Sequence, residues 1–281
     1  FVKPLVQRCP ECGSDHAPLI IGTGTEQVEE NLKMFFPAAR ILRMDRDTLH
    51  GKHALSKMHD RIRRHEVDII IGTQLVTKGH DFPEVTLVGV ILSDLSLNIP
   101  DFRASERTFQ LLTQVAGRAG RGYKPGKVLI QTHNPRHHSL LCAKGHDTRQ
   151  FRELELERRQ NLRMPPFHSL TLVVCSSPHE KRAENLIWEI AEKIQFFYSN
   201  KKNYSNTDQF TSEIEPIDSV QVIGPIEAPM KKLRNRFRWQ LLLKADNVRA
   251  ILRLLKQVLE TPPSTRRDEL IQIDVDPHHL M

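Results

Sequence analysis

The chain has 281 residues, 39% hydrophobic and 27% charged, with 41 basic against 34 acidic residues and a net charge of +7. That length is enough for two ordinary domains with their own cores, and the composition is that of a globular rather than a disordered or fibrous chain. No apolar run approaches the ~20 residues of a membrane helix and Phe1 to Arg8 hold no signal-peptide core, so a cytoplasmic protein with no membrane partner is expected, its basic surplus permitting nucleic-acid binding without establishing it.

In chain order, the first chemical signal is Cys9-Pro10-Glu11-Cys12-Gly13. The C-x₂-C spacing is half of a tetrahedral zinc site, and no second such pair follows. Cys142 falls on a predicted helix and Cys175 on a predicted strand, so both are expected to be core thiols. His16 can supply a third ligand or be a solvated loop histidine. The partner cysteines are expected upstream of Phe1.

From Leu19 to about Thr132, short β-branched runs alternate with helical stretches. Residues 40–44, 67–71, 85–92 and 127–131 read as strands, and such alternation argues for a parallel sheet with helices on both faces. Val28, Leu32, Phe35 and Phe36 share one helical face, and Thr23 with Glu26 fits a capping box. The loop 72–83 follows the strand at Val67–Ile71, at the end of a strand where α/β proteins place ligands. Its Thr73 and Thr77 hydroxyls and backbone N–H groups suit phosphates; an ordinary strand-to-helix connection also fits. Asp94, just after another strand, is a candidate for the same phosphate network.

Gln114-Val115-Ala116-Gly117-Arg118-Ala119-Gly120-Arg121 is the most informative stretch. Two arginines three residues apart each follow a glycine, which lets backbone approach a ligand. Guanidinium forks match phosphate oxygens.

His138 to Arg163 reads as charged helix, broken near Gly145, with Glu153, Glu155 and Glu157 against Arg158, Arg159 and Arg163 as a solvated face. Met164-Pro165-Pro166 stops it, and a domain boundary is placed near Phe167. The remainder reads as strand, helix, strand, strand, helix, strand, a split βαβ or ferredoxin-like order: 169–175, 180–198, 220–223, 236–243, 247–259 and 270–275. Residues 201–219 read as a polar loop. Lys231, Lys232, Arg234, Arg236 and Arg238 lead to Trp239. The pleat puts Arg234, Arg236 and Arg238 on one strand face and Phe237, Trp239 and Leu241 on the other; spacing alone fits a solvated face as well as a phosphate track.

The loop 72–83 and the arginine motif, in this order, resemble motifs five and six of superfamily 2 helicases. With Gly22-Thr23-Gly24-Thr25-Glu26-Gln27, Asp101-Phe102-Arg103-Ala104-Ser105-Glu106-Arg107 and the Cys9–Cys12 pair, nearly the whole chain resembles the primosomal replication-restart DNA helicases. The resemblance implies a RecA-like second motor lobe followed by a smaller α+β ferredoxin-like DNA-binding domain, with residues 1–18 a remnant of a zinc-binding insertion, 19–166 the lobe and 167–281 the C-terminal domain. It implies that Arg118 and Arg121 reach the γ-phosphate of ATP and that Gln114 orients water or phosphate. Gly79, Asp81 and Gly117 would approach the nucleotide, and Thr73, Gln74, Lys78, Arg234, Arg236 and Arg238 would contact DNA. Thr25 and Glu26 resemble the fourth helicase motif, with a plain helix start as the competing reading. Cys9 and Cys12 would bind Zn²⁺ in part. No G-x₄-G-K-[ST] loop occurs, so ATP with Mg²⁺ is expected mainly on a first lobe elsewhere, and this chain alone is expected to be inactive. Implied partners are forked or single-stranded DNA, single-stranded DNA-binding protein and primosome components. A non-enzymatic DNA-binding module and a different superfamily 2 translocase are the rival readings.

Overall fold

The computed structural model describes residues 24–45, 54–73, 82, 84–117, 119, 125–201, 220–260 and 267–280. Cys9, Cys12, His16, Thr23, Gln74, Thr77, Lys78, Gly79, Asp81, Arg118, Arg121 and the loop from 202 to 219 lie outside them. The described residues fall into two compact units. One takes those up to Leu95 together with Thr108–Ala143; the other takes Ser96–Arg107 and the chain from Lys144 onward.

The first unit contains α1 (Thr25–Phe35), β1 (Ile41–Met44), α2 (Ala54–Arg63), β2 (Ile69–Gly72), β3 (Leu87–Val90) and β4 (Lys127–Ile130). All four expected strands are present. β1 pairs in parallel with β2 and β3 in parallel with β4, so among the described residues the single expected sheet is two two-stranded parallel pieces. The register of the first is pinned at its entrance, where the Arg40 guanidinium and backbone N–H both donate to Asp68. Those hydrogen bonds hold the Asp68 carboxyl well below the usual carboxylate range. Leu42, Met44 and Phe82 form a small core with Met58, Ile62, Val67, Ile70 and Val85 around it.

The capping box expected at Thr23 and Glu26 lies partly outside the described residues; the N-cap of α1 is Gly24, and among the described residues no side chain caps it. The Thr25 hydroxyl donates instead to Asp45 (2.7 Å), and Glu26 pairs with Arg43 (3.1 Å), so both side chains turn toward the end of β1 rather than toward free backbone N–H groups. Of the residues on the apolar face of α1, Val28 and Leu32 are half-buried, while Phe35 is 75% and the C-cap Phe36 54% exposed.

Two helices straddle the division between units, the short α3 (Asp94–Leu97) and α4 (Ala104–Ala116). On α4, Ala104, Thr108, Phe109, Leu112 and Val115 are buried. That is the i, i+4 periodicity of an amphipathic helix.

α5 (His138–Lys144) and α6 (Thr148–Asn161) replace the expected long charged helix, with the break where Gly145 predicts it. Asp147 caps α6 by accepting from Gln150 N–H at 2.8 Å. The solvated-face expectation fails for two residues. Glu155 is buried and Arg159 only 13% exposed, because both lie one and two turns beyond the buried Phe151 on the same stripe. Arg159 donates to Glu155 (2.9 Å) and Glu106 (2.7 Å) and stacks over Phe102 (5.2 Å). The segments 96–107 and 144–166, placed by sequence with the first domain, therefore belong to the second unit.

The rest follows the expected order: β5 (Ser169–Ser177), α7 (Glu180–Lys201), β6 (Gln221–Leu233), β7 (Arg236–Ala245), α8 (Val248–Glu260) and β8 (Leu270–Val275). The strands form one antiparallel sheet in the order β6-β7-β5-β8. Val173, Cys175, Leu241 and Leu243 on one sheet face pack with Ile187, Ile190 and Ile194 of α7 and Ile251, Leu254 and Val258 of α8. β6 is much longer than the predicted 220–223. It continues through Pro225 and Pro229 because it is an edge strand, where a missing N–H costs no ladder bond, and both prolines fall where the register with β7 shifts.

Candidate arginine-motif and nucleic-acid surfaces

α4 carries the residues that lead into the arginine motif. Gln110 and Gln114 lie on its exposed stripe, and Gly117, also exposed, closes the last turn with its N–H donating to Thr113 O at 3.0 Å. A Cβ on Gly117 would meet only Thr113 O at 3.5 Å and Gln114 O at 3.6 Å, ordinary contacts. Among the described residues nothing crowds that position. Thr73 is exposed directly after β2. Asp94 is already engaged: its carboxylate accepts from Thr132 Oγ1 and His133 N–H, both 2.8 Å. Burial pushes that carboxyl up, but the hydrogen bonds from His133 N–H and Thr132, with further backbone N–H groups, outweigh it and hold it below its ordinary value. It ties the chain after β3 to the chain after β4, a structural task the sequence reading did not assign.

The basic stripe of the second unit separates into three kinds of residue. Arg234 is not on the strand face: Arg234 and Asn235 form the two-residue turn between β6 and β7, both with left-handed φ (49° and 61°), the geometry of a type I′ hairpin turn. Arg236 is committed inward. Its guanidinium donates to Ser176 O and Asp268 O, both at 2.8 Å, and to Ser176 Oγ at 3.1 Å. Arg238, half-buried on the same face, has no partner among the described residues. Lys231 is neutralised by Glu180 (2.6 Å) and Glu227 (2.7 Å), while Lys232 lies over the Phe237 ring at 4.7 Å. The cations open to a phosphate strand are thus Lys232, Arg234 and Arg238. As expected, Trp239 and Leu241 pack on the opposite, helix-covered face.

A polar cluster that the sequence reading did not assign a role occupies the start of α4. The Asp101 side chain is fully buried and accepts from Arg107 (2.9 Å), from Arg103 N–H (2.9 Å) and from Leu280 N–H (3.4 Å). Arg103 donates to Pro277 O at 3.2 Å and Arg107 to His278 O. The signal available was the packing of four charged residues into Asp101–Arg107.

Cys142 and Cys175 are buried, as expected, and burial with the Glu269 charge pushes the Cys175 thiol up to about 12. Among the described residues no group of His, Cys, Asp and Glu could hold a metal ion. No described helix is long and apolar enough to cross a membrane.

Parallel α/β strands leading into an exposed helix end, followed by a separate antiparallel α+β unit, define a helicase-type motor lobe with an appended module. In agreement, the helicase conserved C-terminal domain matches residues 5–123, and the primosomal protein N C-terminal domain matches residues 160–278. The replication restart protein PriA of Bacillus subtilis is 40% identical over 281 residues, 99% of this chain and 32% of its own length. Those of Synechocystis and Haemophilus influenzae are 38% and 36% identical, over 98% and 99% of this chain and 30% and 36% of theirs. The chain belongs to the PriA family of replication restart proteins, whose C-terminal portion it matches. It spans about a third of the length of these relatives.

Proposed function

We propose that this chain is the C-terminal part of an ATP-dependent 3′-to-5′ DNA helicase that recognises stalled or branched replication forks and restarts replication by primosome assembly in the cytoplasm. The observation that carries this reading is the tandem match of a helicase C-terminal domain and a primosomal C-terminal domain, with Gln114 exposed where α4 enters the arginine motif. Arg118 and Arg121 neutralise charge on the γ-phosphate of ATP, whose Mg²⁺ and phosphate cradle belong to a first lobe. Gln114 orients water or phosphate, and Gly79, Asp81 and Gly117 approach the nucleotide. Thr73, Gln74 and Lys78 contact the DNA backbone. The second unit, whose strand and helix order we read as ferredoxin-like, binds forked or single-stranded DNA through Arg234 and Arg238. Single-stranded DNA-binding protein and primosome components are its protein partners, and Cys9 and Cys12 give half of a Zn²⁺ site.

Arg118→Ala in the full-length protein tests the motor reading. DNA-stimulated ATP hydrolysis should fall by ~10³ or more while binding to forked DNA persists. Unchanged turnover would leave a DNA-binding module that keeps the lobe only as scaffold.

A further inference from the structure

Lys244, near the end of β7, is the one lysine counted as buried among the described residues, at 9% exposure. A lysine is seldom buried without a paired charge, yet among the described residues its ammonium makes no ion pair and has one acceptor, Leu162 O at 3.3 Å. The sheet explains the burial of its stem. β7 sets Lys244 opposite Leu170 of β5 on one side and Gln221 of β6 on the other, and residues directly opposite share a sheet face. Leu170 is fully buried and supplies apolar cover, whereas Gln221 is exposed.

The Lys244 side chain lines a pocket of about 360 Å³ within the second unit, together with Arg163, His168, Gln221 and Asp246. That volume lies in the ~300–1,000 Å³ range of ordinary ligand sites. Arg163 comes just after α6, where a left-handed φ of 52° turns the chain and its N–H donates to Gln160 O at 3.0 Å. Its side chain is exposed, and its guanidinium has no partner among the described residues. The acid in the lining, Asp246, has its carboxylate 2.7 Å from His168 Nε2. A lysine that only caps the end of α6 accounts for one of the three ammonium donors and for nothing at Arg163. The helix end carries about half a negative charge, which opposes an anion less than two full positive charges attract one.

We propose that Lys244 and Arg163, with the Gln221 amide beside them, form a subsite for one phosphate group. A guanidinium fork, an ammonium and an amide offer more donors than a carboxylate has oxygens, and they suit the several oxygens of phosphate. The subsite rests on the reading that the second unit binds DNA, whose backbone is one source of that group; free phosphate is the other.

The experiment uses the full-length protein, parental and with Lys244→Met, Arg163→Gln or both. Fork affinity is titrated at several salt concentrations. Thermal unfolding is followed in inorganic phosphate and in chloride at matched ionic strength, the chloride series also reporting the fold. Each single variant should weaken fork binding, and the double variant should lower the salt slope by ~0.9 in all, one phosphate rather than two. The rise in midpoint that phosphate gives the parent should shrink in every variant, while a rise common to all belongs to other sites. A lost phosphate response with parental fork binding assigns the subsite to free phosphate. Parental values of both readouts in folded Lys244→Met, or in Arg163→Gln, overturn the subsite. So does a double variant that loses ~1.8 in slope, since the two cations then serve separate phosphates. Arg163 is exposed, so Arg163→Gln decides the matter should Lys244→Met not fold. If the parent itself does not bind forks, the DNA reading fails and the phosphate response alone tests the subsite.

Discussion

Arg236 and Arg238 stand two residues apart on one strand face, yet the first is spent on Ser176 and Asp268 while the second is open to a ligand. Removing Arg236 strands two carbonyls that a charged donor had satisfied, so Arg236→Ala should cost ~1–3 kcal/mol of stability. Arg238→Ala should leave the thermal midpoint near the parental value and reduce the salt dependence of duplex-DNA binding by about one phosphate contact, a slope change near 0.9. Thermal unfolding and binding titrations at several salt concentrations separate the two. An Arg238→Ala protein with an unchanged salt slope would remove this face from the nucleic-acid surface. The pleat period placed both arginines on one face from the sequence. It gives no information on carbonyls arriving from β5 and from Asp268, which are distant in the chain. Arg234 eluded the same rule because a two-residue left-handed turn interrupts the strand at that position.

Among the elements, β6 was the hardest to read. Gly-Pro inside an apolar run signals the end of a strand, and that rule holds for central strands, which must donate every N–H. At a sheet edge the rule relaxes, and the same residues discourage a further strand from pairing there. Gly224 shows how tightly the strand is built. Its φ of +106° suits glycine, and an added Cβ would stand 3.0 Å from Gln240 O and 3.2 Å from Ile226 N–H nitrogen. Gly224→Ala should therefore destabilise the second unit by roughly 1–3 kcal/mol, measurable as a lower denaturant midpoint; a neutral substitution would mean that the backbone relaxes freely at the bulge. The four strands of the first unit were legible because each is a compact β-branched run. The apolar stripe of α1 was equally legible as a stripe. Sequence could not show that Phe35 and Phe36 stay exposed, since burial depends on what the stripe meets.

For the whole molecule, the division of labour follows from what the chain carries. It supplies an arginine motif and basic strands but no phosphate loop, so the purified 281-residue chain should bind forked DNA and show no DNA-stimulated ATP turnover. Phosphate release above background from this chain alone would require a nucleotide site of its own and would contradict the proposed lobe arrangement. The order of elements in the second unit was readable from hydrophobic period and turn residues. The membership of 96–107 in that unit was not, because the contacts of Arg103 and Arg107 lie some 170 residues ahead.

Those separations bear on biosynthesis. The central strand β5 has both neighbours downstream, with Thr171 opposite Leu243 on one side and Val275 on the other. A nascent chain leaving the ribosome therefore exposes the apolar β5 until β7 and then β8 emerge, seconds later at bacterial elongation rates of roughly 5–20 residues per second. Pairings so distant in sequence also close slowly. During synthesis this strand is the part of the second unit most in need of a chaperone.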